Sequence, residues 1–168
     1  IRIWYNTQSE GYSEHQHNAL EIIIPIEESY TIIVSDQTFV LQPGDILFVP
    51  RLAIHEILEQ EHGSRFICIY NMEPLASFHD FSSLNPVLLE PRLINRETFP
   101  NIYEHLYSSF MQINNIYFSS ITFWEFSVYA ILIDILTTIG REHYRALSAA
   151  QSSPEKYYET YQQFTGLL

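Results

Sequence analysis

Short apolar runs separated by polar breaks dominate the first seventy positions: "LEIIIPI", "YTIIVSD", "QTFVLQ", "DILFVP", "IHEILEQ" and "RFICIYN". The runs are rich in Ile, Val, Phe and Tyr, as strands are. The breaks, Glu27-Glu28-Ser29, Ser35-Asp36-Gln37, Gln42-Pro43-Gly44-Asp45 and Glu61-His62-Gly63-Ser64, are turn signals. Short strands at this spacing predict an antiparallel sandwich or barrel. Pro25 cannot donate to a ladder, so its strand is expected at an edge or bulged there.

Beyond Tyr70 the period changes. The stretch from Asn71 to Pro100 carries Pro74, Pro86, Pro91 and Pro100 and reads as irregular connection. Ile102, Leu106, Phe110 and Ile113 then recur at helical spacing. A second helix, about Ser120 to Ile139, is apolar on nearly every face, which predicts burial on more than one side. "REHYRAL" is able to extend it. A last helix is predicted from Ser153-Pro154-Glu155, with serine as N-cap and proline in the first turn. Its stripe is Tyr157, Tyr161, Phe164 and Leu168, and the sequence ends in mid-stripe without a cap.

At 168 residues the chain fits one domain with a helical appendage. The formal charge of −12, with seven arginines and only Lys156 as basic groups, opposes direct contact with nucleic acid or anionic membranes. Ile121 to Ile139 raises the question of a membrane span. Glu125 and Asp134 fall inside it, so a buried soluble helix is the expectation. The lone cysteine, Cys68, permits no intrachain disulfide and fits a cytoplasmic setting; in an apolar strand it reads as a small hydrophobe.

One polar stretch interrupts the strand pattern: "EHQHNALE", Glu14 to Glu21. On an extended strand His15, His17 and Glu21 all point the same way. With His55 they make three imidazoles and a carboxylate, a set suited to zinc, iron(II), nickel or manganese. The bland alternative is a hydrogen-bonded polar wall around water or a small ligand. His62, His79, His105 and His143 are isolated and read as surface or core-edge residues. Phe123, Trp124 and Phe126 read as packing. Phe48, Tyr30 and Tyr70 are candidates to face an interior cavity. No GxSxG elbow, phosphate-binding glycine loop or CxxC pair is present.

"HQHNALE" followed by "PGDILFVPRLAIHE" resembles the two motifs of the cupin superfamily. His15, His17, Glu21, Gly44, Pro50 and His55 match. Glu28 and Leu52 stand where the family has glycines, and Glu59 stands where it has asparagine. The order of barrel, proline-rich exit, long apolar helix and linker resembles the amino-terminal half of an AraC-type transcription regulator.

The resemblance implies a mainly β fold with C-terminal α: a cupin (double-stranded β-helix or jelly-roll) barrel over 1–75, an irregular connection over 76–99, and a helical dimerisation region over 100–168. It further implies a cytoplasmic effector-sensing protein, not an enzyme. The barrel would bind a small polar metabolite, such as a sugar, through His15, His17, Glu21 and His55. No metal cofactor is expected, and those same four residues would be the ligands if one were bound. A homodimer is expected through helices in 100–147, with DNA contacted only by a helix-turn-helix domain after Leu168. The alternative is a metal-dependent cupin enzyme, an oxygenase or isomerase. A dimerisation module with an unliganded pocket is the third.

Overall fold

The computed structural model describes residues 1–150; the helix predicted from Ser153 lies outside the described residues. Among the described residues nine strands form two sheets. They are β1 (Arg2–Asn6), β2 (Tyr12–His15), β3 (Leu20–Glu27), β4 (Tyr30–Val34), β5 (Gln37–Leu41), β6 (Ile46–Val49), β7 (His55–Ile57), β8 (Ser64–Tyr70) and β9 (Arg92–Ile94). One sheet runs β1-β8-β3-β6-β9 and the other β2-β7-β4-β5, and every pairing is antiparallel. The chain crosses between the two sheets repeatedly, in the manner of a jelly roll: a mainly β fold with helices after it.

The burial of each strand follows from what covers its sheet. Side chains alternate between faces along a strand, so a sheet covered on both sides needs apolar residues at every position. The five-stranded sheet is such a layer. Ile23, Leu47, Val49 and Ile67 face the sandwich interior with Tyr30, Ile32, Val34 and Ile57 of the other sheet. Ile22, Ile24, Phe48, Cys68 and Tyr70 face the opposite way, onto the helices. That is why Ile22-Ile23-Ile24 and "ILFV" are unbroken apolar runs. β4 and β5 belong to the other sheet, whose outer face is more open, and they mix buried with half-buried and exposed positions. Of the candidate cavity residues, Tyr30 lies in the interior, whereas Phe48 and Tyr70 lie on the helical side.

The stretch 76–99 is more ordered than its prolines suggest. It holds the short helix α1 (Asn85–Leu88) and β9, which pairs with β6 and completes the sheet edge. Helix α2 (Tyr103–Ser119) and helix α3 (Trp124–Ala150) follow. α2 buries Leu106, Phe110 and Ile113, and α3 buries Val128, Leu132, Ile135, Leu136 and Ile139. The chain turns between them with left-handed backbone at Ser120 and Phe123.

Pro25 lies in a central strand, and the bulge expected there as the alternative to an edge is present: the register shifts between Pro25 and Glu27. One expectation changes. Phe123 and Phe126 are not packed inside; Phe126 is 75% exposed, while Trp124 stands edge-on to Tyr117 at 5.2 Å. No described helix is long and apolar enough to cross a membrane.

Candidate metal centre

His15, His17, Glu21 and His55 converge, but not from one strand. His15 ends β2, His17 stands in the turn that follows, Glu21 lies on β3 and His55 opens β7. Contrary to the expectation from strand alternation, His15, His17 and Glu21 do not share one extended strand: a break sits between His15 and Glu21. Pairing does the work instead. His15 is the cross-strand partner of His55, with ring centroids 4.2 Å apart. Glu21 sits in the register of Val49 and Ile69 on the other sheet, with its side chain turned inward. The turn bearing His17 is tied down twice. Leu52 N–H donates to the His17 carbonyl at 2.9 Å, and the Arg51 guanidinium donates twice to Asn18 Oδ1, at 2.9 and 2.7 Å.

Two turns hold backbone that glycine would adopt more easily. Glu28 (φ 63°) and Leu52 (φ 61°) occupy left-handed conformations where a glycine would be at ease, and Gly44 retains φ 90°. The turns keep their shape at the cost of local strain.

One ligand atom from each of the four residues lies within 4.8 Å of the other three. Glu21 is 2% exposed and His55 1% exposed. His17 Nε2 donates to Glu21 Oε2 at 2.6 Å, and His55 Nε2 reaches the same oxygen at 3.2 Å. Burial alone would raise the Glu21 pKa. Hydrogen bonds from His17 and His55, and their charge, outweigh it and hold the carboxyl at about 2. His55 moves the other way. Burial opposes its charged form, but the bonds to Glu21 and to the Ala53 carbonyl raise its pKa above the ordinary value.

These contacts also test whether a metal fits. His55 Nδ1–H donates to Ala53 O and His15 Nδ1–H to Ser13 O, both at 2.8 Å. That leaves each Nε2 as the atom facing the cluster, the tautomer a metal-binding histidine needs. The proton His55 carries toward Glu21 is the one a metal would displace. His17 is less well prepared, because its Nδ1 is buried without a partner. The donor set, its closeness and two anchored imidazoles fit a divalent ion.

A cavity of about 300 Å³ opens beside His15 and Glu21, walled by Trp4, Tyr12, Ile57, Ile67 and Ile69. Trp4 and Tyr12 do not stand out in the sequence because they come from short, largely exposed edge strands. A larger cavity, about 560 Å³, lies against α3 near Phe81, Leu84 and Tyr144. No described cluster of metal-binding groups adjoins it, so chemistry rather than size selects the site. The remaining candidates stay apart: His62 and His79 are not in the cluster, His143 stacks edge-on to Tyr144, and His105 makes an exposed pair with Asp134 at 2.8 Å. Cys68 is buried on the helical side, and burial raises its thiol to about 12, so it is no nucleophile.

No family model and no characterised protein sequence matches the chain. Solved structures do. A cupin-2 domain protein from Shewanella frigidimarina is 21% identical over 40% of this chain and 69% of its own, with TM-score 0.37. A DMSP lyase from Ruegeria pomeroyi is 22% identical over 42% of this chain and 38% of its own, with TM-score 0.35. A mutant oxalate decarboxylase from Bacillus subtilis is 17% identical over 59% of this chain and 29% of its own, with TM-score 0.33. These likenesses are partial. Two of the three neighbours are enzymes by name, and the expectation that this chain is not an enzyme is corrected on that finding.

Proposed function

We propose that this chain is a metal-dependent cupin in which His15, His17, Glu21 and His55 hold a divalent ion and the adjoining cavity receives a small substrate. The observation that carries the reading is the set of four ligand atoms within 4.8 Å, two of whose histidines are already anchored through Nδ1. A bound divalent metal would supply Lewis acidity, and open coordination positions would suit an oxygenase or isomerase. The chain's own residues do the rest. Glu21, ionised and buried, offsets the ion's charge. The Ala53 and Ser13 carbonyls fix two rings, and Trp4, Ile67 and Ile69 keep water from one side of the substrate. Titration with cobalt(II) tests this: one equivalent should give saturating visible absorption, absent in His55→Ala. Absorption that never saturates, or persists in the variant, refutes it.

A separate observation favours a second use of the same centre. Phe118, Ile121, Phe123 and Phe126 are exposed together where α2 meets α3. On this reading the cavity senses an effector, α2 and α3 pair with a second copy, and a helix-turn-helix domain of the AraC type receives the signal. Light scattering separates the two. A dimer at micromolar concentration that Phe123→Ser with Phe126→Ser dissociates supports the sensor; a monomer in both removes it.

A further inference from the structure

Arg65 is the unusual charge in this molecule. It is one of only eight basic residues in a chain of net charge −12, yet it is 0% exposed. Among the described residues no carboxylate lies within ion-pair distance of it. Its Nη atoms make only long contacts with backbone carbonyls, 3.4 Å to Gln8 and 3.3 Å to Glu10, and its Nε has no partner. The rings of Tyr30 and Tyr12 flank it, with the guanidinium carbon 4.6 and 5.6 Å from their centroids. The hydroxyl of Tyr30 is also buried and unpartnered. Arginine cannot shed its proton to escape burial, and aromatic faces and long carbonyl contacts replace only part of its hydration. Such a cation is in place to meet an anion.

The strand alternation says where the anion would come from. Arg65, Ile67 and Ile69 share one face of β8, and Ile67 and Ile69 wall the cavity beside Glu21. Register places Ile69 opposite Glu21 and Arg65 opposite Pro25, four residues further along the same strand. Tyr12 is common to both places. Its ring walls the cavity, stands 6.5 Å from the His15 ring and lies against the guanidinium. Tyr12 therefore neighbours both the polar centre and the buried cation, which itself lies outside the cavity wall. The other walls are Trp4, Ile57, Ile67 and Ile69, which suit a hydrocarbon body.

We infer that the cavity binds a small carboxylate-bearing molecule with an apolar body, and that Arg65 holds its carboxylate past the Tyr12 ring. This rests on the reading that the cavity beside the four-residue centre takes a small molecule. The test uses two pairs of probes, benzoate with benzamide and hexanoate with hexanamide, which differ in charge and little in shape. Calorimetric titration is run on the wild type, Arg65→Lys and Arg65→Met, with circular dichroism for folding and metal content measured on the same samples. At least one acid should bind the wild type ten-fold or more tighter than its amide. The preference should persist in part in Arg65→Lys and vanish in Arg65→Met, with metal content unchanged. Equal affinity of acid and amide, a preference that survives in Arg65→Met, or no binding of either pair at millimolar concentration overturns the inference. Should Arg65→Met not fold, the wild-type preference and its weakening in Arg65→Lys decide. Loss of metal binding with the acid preference intact would fault the metal reading and leave this one standing.

Discussion

Replacing Glu21 by Gln keeps the side chain's shape and removes its charge, which isolates the electrostatics at the centre of the cluster. In the metal-free protein the carboxyl sits at about 2 against an ordinary 4.5. Each tenfold change in proton affinity is worth about 1.4 kcal/mol, so the ionised carboxylate contributes about 3 kcal/mol to folding. The sign follows from the direction. A lowered carboxylate pKa gives stability that is present above 4.5 and lost as pH falls through about 2. His55 contributes oppositely: its raised pKa gives stability that is full below its ordinary 6.5 and lost as pH rises through the higher folded value. Both terms need Glu21. The Glu21→Gln deficit should therefore be greatest between about pH 4.5 and 6.5, at about 3 kcal/mol or more, shrink toward pH 2, and above neutrality lose only the share that His55 contributes. Urea unfolding of chelator-treated wild type and variant, followed by circular dichroism across that range, measures it. A variant as stable as the wild type at pH 5.5, or a deficit that does not change with pH, would refute the reasoning.

Three further outcomes follow from the geometry. Leu52→Gly should raise stability by roughly 0.5–1 kcal/mol in thermal melts, because Leu52 is 58% exposed and holds a left-handed backbone that glycine adopts freely. Gly11→Ala should cost about 2 kcal/mol in the same assay, since a Cβ there would sit 2.5 Å from the Ile57 carbonyl oxygen and 2.8 Å from the Glu59 nitrogen, both backbone atoms. Cys68, buried with its thiol pushed up to about 12, should resist a thiol reagent at pH 8 in the native protein and react at once in denaturant.

How far the sequence reveals the fold depends on burial. The six strands read from apolar runs are present, and all but β5 are interior to their sheets. The three that escaped, β1, β2 and β9, are edge strands. An edge strand is half open to solvent and carries no long apolar run; all four positions of β2 are exposed. His15, His17, Glu21 and His55 stand out in the sequence as a candidate set, but the reason the fold brings them together does not. It depends on the pairing of His15 with His55, and pairing is a long-range property. Helix α3 extends to Ala150 because nothing in "REHYRALSA" breaks it. Arg65 drew no notice in sequence, where an arginine reads as surface; only the row it shares with Ile67 and Ile69 shows that it points inward.

Whether His15, His17, Glu21 and His55 are metal ligands is decided by the metal content of the protein purified without chelator and without a nickel affinity step, beside His55→Ala. Close to one equivalent of iron, manganese, nickel or zinc is expected in the wild type and almost none in the variant. A wild-type protein that stays empty after incubation with iron(II), manganese and zinc would contradict that expectation, and would leave the four residues as the polar wall of a ligand pocket.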